Sequence, residues 1–210
     1  MLLLILLPSI LISLDFEFSN YSIPVEVNGI ELNNPFSGGH NRPRLQWWDW
    51  DLDNDKDLFI LDESGYIRYY KNNSNGDNFD FIIQSCRFNN IYAGNWFYFG
   101  DFDSDGDPDL MTQNEDYFNN VTYYENIGYN FVNQGILITN SNEFVISDPQ
   151  MTPCFSDIDN DGDLDFFTGN AVGTITFYEN LGFSENYSPQ FEYKTNFWQE
   201  ISIIGPSIRH

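Results

Sequence analysis

The chain has 210 residues, 32 acidic against 8 basic, for a formal charge of −24 at pH 7. Nucleic-acid phosphates would be repelled by that charge, so no nucleic-acid partner is expected, and anionic membrane surfaces are disfavoured on the same ground. Yet 41% of residues are hydrophobic and 18% aromatic, too many for an acidic disordered tail, so the surplus charge of a folded protein needs a physical reason. Ala occurs only at 93 and 171, while Asn, Ile, Phe and Tyr abound. Poor helix formers standing in for good ones predict an all-β chain.

Residues 1–14 read MLLLILLPSILISL and are followed at once by Asp15 and Glu17. The run is shorter than the roughly 20 apolar residues a membrane span needs, so no integral span is expected. It reads as a signal peptide, although it lacks a basic n-region and an A-x-A cleavage site, and it places the protein outside the cell or on its surface. Residues 15–40 hold a short strand candidate at 16–18 and a Pro- and Gly-marked connector at 34–39.

From there an internal repeat governs the reading. Three segments fit the nine-residue template D-x-D-x-D-[GN]-D-x-D. The first carries Asp49, Asp51, Asp53, Asp55 and Asp57; the second Asp101, Asp103, Asp105, Asp107 and Asp109; the third Asp157, Asp159, Asp161, Asp163 and Asp165. Fifteen of the 32 acidic residues thus occupy 27 positions, and a fold keeps such self-repelling clusters only if cations neutralise them. Hard carboxylate oxygens at alternating positions suit Ca²⁺, which takes about 6–8 oxygen ligands in flexible geometry, better than octahedral Mg²⁺. Positions one, three and five can curl round one centre if the chain turns sharply after five. Gly106 and Gly162 supply that turn, and Asn54 substitutes for Gly in the first loop. Position seven is expected to offer its carbonyl, and position nine to close the shell with a carboxylate. An EF-hand fails, because position twelve is Ile60, Thr112 or Thr168 instead of Glu and the flanks are β-rich.

The segments around each loop alternate strands and turns. Short apolar strands precede the loops at 45–48, 96–99 and 152–155 and follow them at 58–61, 110–112 and 166–168. Third strands share one pattern, Ile67-Arg-Tyr-Tyr-Lys-Asn72, Val121-Thr-Tyr-Tyr-Glu-Asn126 and Ile175-Thr-Phe-Tyr-Glu-Asn180. Turns at Ile127-Gly128 and Leu181-Gly182 lead to fourth strands near 79–84, 131–138 and 191–195. Four-stranded units of this kind must stack to bury both faces, and a radial stack of them is a β-propeller. The expected division is a signal peptide at 1–14, a partial blade or connector at 15–40, blades at 41–94, 95–148 and 149–198, and the start of a further blade at 199–210.

The loop, the aromatic strand before it and the Gly-x-Ile-x-Phe-Tyr-Glu-Asn third strand resemble FG-GAP/VCBS repeats, the calcium-binding blades of integrin-α-type β-propellers. That resemblance implies three Ca²⁺ sites with side-chain ligands at positions one, three, five and nine and a carbonyl at seven. It also implies an adhesion or ligand-binding module for protein or glycan, with calcium structural. The alternative is an accessory or catalytic domain of a secreted polysaccharide-degrading enzyme. Asn54 and Lys56 depart from the pattern, so site one is expected to be weakest. Three motifs are fewer than the 4–8 blades of propellers in general, which predicts association with further blades of a longer chain or with other copies.

No catalytic constellation stands out. His40 and His210 are the only histidines, too few for a histidine-based zinc site. Glu115-Asp116 and Asp62-Glu63 are acid pairs in turns, where solvated carboxylates are the ordinary expectation. Cys86 and Cys154, 68 residues apart, are expected to be unpaired.

Overall fold

A computed structural model describes residues 23–32, 35, 38–76, 78–184 and 188–203. The apolar run at 1–14 and the strand candidate at 16–18 lie outside the described residues. The chain divides into two units, Met1–Gly38 and Gly39–His210. Within the first, strands β1 (Glu26–Val27) and β2 (Ile30–Glu31) form a hairpin. Asn28 and Gly29 both adopt positive φ, 55° and 77°, as a two-residue turn matched to strand twist requires.

The second unit is all-β and consists of three antiparallel four-stranded sheets, each a simple meander. The first contains β3 (Arg44–Trp48), β4 (Asp57–Leu61), β5 (Ile67–Asn72) and β6 (Phe81–Ser85). The second contains β7 (Phe97–Gly100), β8 (Asp109–Gln113), β9 (Val121–Asn126) and β10 (Phe131–Ile136). The third contains β11 (Cys154–Ser156), β12 (Asp165–Gly169), β13 (Ile175–Phe183) and β14 (Pro189–Thr195). These are the blades expected from the repeat, and their order is that of consecutive propeller blades. One detail differs. Leu181-Gly182 is not a turn but the interior of β13, where the register shifts between Asn180 and Phe183. Gly182, at φ 90°, lets the strand bulge and continue.

Alternating side chains on the second strand of each sheet explain the stacking. Phe59 and Leu61 of β4 meet Phe97, Phe99 and Leu110 of the second sheet, with Phe88 and Trp50 completing that core. Met111, on the other face of β8, joins Trp96, Phe102, Val121 and Tyr123 against Phe155, Phe166 and Phe191 of the third sheet. Aromatic rings dominate both cores, for example Phe59–Phe99 at 4.8 Å and Phe155–Phe166 at 5.1 Å, edge to face, the arrangement ring quadrupoles prefer. Trp96 is 1% exposed and is therefore a packing residue, not part of a sugar-binding surface.

Polar clips join the sheets as well. Gln46 of β3 donates from Nε2 to the Phe99 carbonyl at 2.6 Å, and its Oε1 accepts the Phe99 N–H at 2.7 Å. One half-buried amide thus satisfies both backbone groups of a residue in the next sheet. Each sheet also hands the chain onward in the same way. After the fourth strand it crosses to the second-strand hairpin, so that Ala93 N donates to Gly65 O (2.7 Å), Ser147 N to Asn119 O (2.8 Å) and Ile203 N to Gly173 O (2.7 Å). A Cβ at Gly173 would lie 2.1 Å from the Ile203 carbonyl oxygen, which accounts for glycine there. Residues 196–203 thereby follow the run-in path that 86–93 take into the second sheet.

Among the described residues, helix is limited to the 3₁₀ turns Phe88–Asn90 and Trp198–Glu200, and no helix is long and apolar enough to cross a membrane. No disulfide joins Cys86 and Cys154.

Candidate metal centres in the aspartate loops

Each aspartate loop connects the first and second strands of its sheet, and the three share one hydrogen-bonded frame. The carboxylate at position one accepts the backbone N–H at position six: Asn54 to Asp49 (3.1 Å), Gly106 to Asp101 (3.1 Å) and Gly162 to Asp157 (3.2 Å). Position five accepts the N–H at seven, from Asp55 to Asp53 (3.1 Å), Asp107 to Asp105 (3.0 Å) and Asp163 to Asp161 (3.0 Å). In the second and third loops position three likewise accepts the N–H at five, both at 3.2 Å. These local side-chain-to-backbone bonds are the turns that short carboxylates favour.

The chain turns left-handed twice in each loop. Position six does so as expected, with Asn54 at φ 73°, Gly106 at 96° and Gly162 at 101°. Position four does so too, with Leu52 at 59°, Ser104 at 64° and Asn160 at 63°, which the template did not single out. For Leu52 this is a costly conformation, and its side chain is 69% exposed, so loop geometry and not packing sets its backbone.

The result gathers the carboxylates of positions one, three and five. In each loop, Asp49, Asp51 and Asp53, or Asp101, Asp103 and Asp105, or Asp157, Asp159 and Asp161, bring one oxygen apiece within 4.8 Å of one another. Three hard oxygens at that spacing can share one divalent cation. Asp101 Oδ1 and Asp107 Oδ1 are buried without a hydrogen-bond partner, as are Asp49 Oδ1 and Asp55 Oδ1. A buried carboxylate oxygen left unbonded is expensive, and a cation is the partner whose charge resolves it. The donor set therefore fits calcium. Burial, with neighbouring Asp105 next in effect, pushes the Asp107 carboxyl up to about 6. Burial and then the other loop carboxylates likewise raise Asp163.

Position nine is different. Asp57, Asp109 and Asp165 are 0%, 0% and 1% exposed and serve as internal hubs. Asp109 Oδ2 accepts the Phe102 N–H (3.2 Å) and the Tyr123 hydroxyl (2.8 Å), while Oδ1 accepts the Asn126 N–H (2.9 Å). Asp57 repeats this with Trp50, Tyr69 and Asn72. Asp165 accepts from Ile158 and Asn180, since Phe177 stands where the others have tyrosine. Burial pushes Asp109 up to about 7 against the pull of these donors. The third-strand asparagines complete the joint, each donating Nδ2 to the position-eight carbonyl at 3.1 Å: Asn72 to Lys56, Asn126 to Pro108 and Asn180 to Leu164. The sequence displayed these asparagines three times over, yet periodicity alone read them as strand ends.

Residues 49–112 match the FG-GAP-like repeat family. That stretch of the chain carries an FG-GAP-like repeat. The matched span runs from position one of the first loop to β8 and so includes two of the three loops. No curated protein and no solved structure matches the chain significantly.

The other acidic candidates have structural tasks or lie in solvent. Asp62 Oδ1 accepts the Glu63 and Asn41 N–H groups (2.8 and 3.0 Å), the former chiefly holding its carboxyl below the usual range. Glu63, Glu115 and Asp116 are exposed.

Proposed function

We propose that this protein is a secreted or cell-surface binding module whose blades are held by structural calcium and whose surface takes a protein or glycan. The observation that carries this is the threefold recurrence of one carboxylate frame, with buried unbonded oxygens in the first two loops, the two that the FG-GAP-like repeat match includes. Calcium would be held by the side chains at positions one, three and five and the carbonyl at seven, while the carboxylate at nine, expected from the template to close the shell, instead braces the loop from beneath. Extracellular calcium modules typically bind at about 10⁻⁴–10⁻³ M, suited to body fluids and seawater. The opposite end of the sheets carries a cavity of about 380 Å³ lined by Asn119, Asp148, Asn170, Thr176, Tyr193 and Asn196 among others. Amides, a hydroxyl and a phenol in a concave site are groups that hydrogen-bond and stack on sugars. Screening the intact chain on glycan and protein arrays in calcium tests this. A retained ligand lost on Tyr193→Ala is the expected result; silence on both arrays would leave a spacer role instead.

We also infer that the stack of blades continues. Phe167, Phe177 and Trp198 occupy on the third sheet the places of Phe59, Tyr69 and Phe88 on the first, with Trp198 packed 5.1 Å from Phe167. On the first sheet that face is covered by β7, whereas among the described residues no sheet covers it on the third. Position two of the loop reports the same difference. Trp50 and Phe102 pack into the cores facing the next sheet, while Ile158 is 46% exposed. A further blade, from a longer chain or another copy, fits this face. Light scattering on the eluting chain should show self-association that Trp198→Glu disperses; a monomer with one sharp melt would count against it.

A further inference from the structure

The three loops are alike in backbone but not in what faces them. At the penultimate residue of the third-strand pattern, copies two and three carry Glu125 and Glu179, whereas copy one carries Lys71. Lys71 reaches from β5 into the first loop. Its Nζ pairs with Asp51 Oδ2 and lies 3.7 Å from Asp53 Oδ2, the carboxylates of positions three and five. In the second loop the equivalent Glu125 adds negative charge near Asp107 and accepts Gln134 Nε2 at 2.5 Å. In the third, Glu179 pairs with Lys194, which also holds Glu192. The two departures visible within the first loop itself are less consequential. Asn54 makes the same turn as glycine, and Lys56 is exposed.

We propose that Lys71 is a built-in cation of the first loop, competing with calcium for Asp51 and Asp53, so that the protein binds two calcium ions tightly and the third weakly. This rests on the metal reading of the loops. An ammonium and a divalent ion cannot share these carboxylates without strong repulsion, even in a partly solvated site. Calcium enters the first loop only when Lys71 swings out to solvent. The lysine is then what neutralises that loop when calcium is scarce, and the first blade keeps its loop geometry at calcium levels that empty the other two.

The test is calcium stoichiometry by equilibrium dialysis on the full chain, for the wild type, Lys71→Gln and Lys71→Glu. Terbium luminescence excited through tryptophan adds a reading weighted to the first loop, since Trp48 and Trp50 flank Asp49 while Phe or Ile stands at position two of the others. We expect two tight ions in the wild type and three in both variants, with affinity at the first loop rising about tenfold or more and terbium emission rising in step. Three equivalent tight sites in the wild type, or two sites unchanged in both variants, would overturn the role of Lys71. No bound calcium in any of the proteins would overturn the metal reading and this inference with it. Should Lys71→Glu fail to fold in chelator, Lys71→Gln, which retains a neutral side chain of similar reach, still decides the question.

Discussion

Asp109→Ala is expected to destabilise the protein by about 3–5 kcal/mol, in calcium and in chelator alike. Asp109 lies 0% exposed beneath its loop and is the common acceptor for Phe102 N–H, Asn126 N–H and the Tyr123 hydroxyl. Alanine strands all three. Each buried donor left without a partner costs about 1–3 kcal/mol, and breaking a buried charged network about 3–5. In a unit of this size that corresponds to a fall in Tm of roughly 10–15 °C. Asp105→Ala is the contrasting variant. Asp105 is exposed, and its removal should leave the melt in chelator within about 1 kcal/mol of wild type while abolishing the gain that calcium gives at that loop. Asp165→Ala should be milder than Asp109→Ala by about 1 kcal/mol, because Phe177 offers no hydroxyl to strand. Thermal and urea melts of the three variants check this. Equal losses for Asp105→Ala and Asp109→Ala in chelator would refute the division between an ion-holding rim and a buried hub.

That division explains what the sequence made legible and what it did not. The fold was open to inspection because one pattern occurs three times, at spacings of 52 and 56 residues, and each copy carries the same apolar strand, acidic loop and aromatic third strand. Which sheet each core residue faces was not read from the sequence; it follows from the pairing of β4, β8 and β12, since neighbouring side chains on a strand face opposite sheets. The clustering of positions one, three and five was likewise readable, as was the turn at position six. Position nine looked like its siblings in the template, yet a residue at the start of a central strand is drawn under the loop and spent on internal hydrogen bonds. Its burial follows from strand pairing, Asp57 opposite Trp48 and Asp109 opposite Gly100, which one-dimensional spacing does not encode. The left-handed turn at position four was hidden for a similar reason, as Leu52 has no propensity for it and only the closed loop imposes it. Gln46 gripping Phe99 spans 53 residues and has no local signature at all. Lys71 is intermediate. Aligning the three copies exposes a lysine where the others have glutamate, but only the strand register shows that it faces the carboxylates.

Chelation is expected to lower Tm by about 10–15 °C, and the size of that drop should depend on pH in a direction fixed by the loop carboxylates. An ion present at about 100 times its dissociation constant stabilises by about 2.7 kcal/mol per site, so two tight sites contribute roughly 5 kcal/mol, and 1 kcal/mol moves Tm by about 2–4 °C in a protein of this length. Without metal, burial raises Asp107 to about 6 and Asp109 to about 7 and also raises Asp103, Asp163 and Asp165. In the unfolded chain these groups titrate near 3.9. The folded state therefore holds more protons than the unfolded state between about pH 4 and 7, and stability falls as pH rises through that window. In the first loop burial likewise raises Asp55 and Asp57, but Asp51 has the opposite sign, its carboxyl held down chiefly by the hydrogen bond from Lys71, so that loop should follow the trend less steeply. Calcium bound as proposed should reverse the trend in the other two, because it would bind deprotonated carboxylates with an affinity that grows as protons leave. The melting curves with calcium and with chelator should nearly coincide near pH 4–5 and diverge steadily above about pH 6. Magnesium should reproduce only part of the gain, since it favours octahedral sites that keep several waters over a shell of protein oxygens. A gap between the two melting curves that stays constant with pH, or no gap at neutral pH, would remove calcium from the account of why this fold tolerates fifteen aspartates in three short loops.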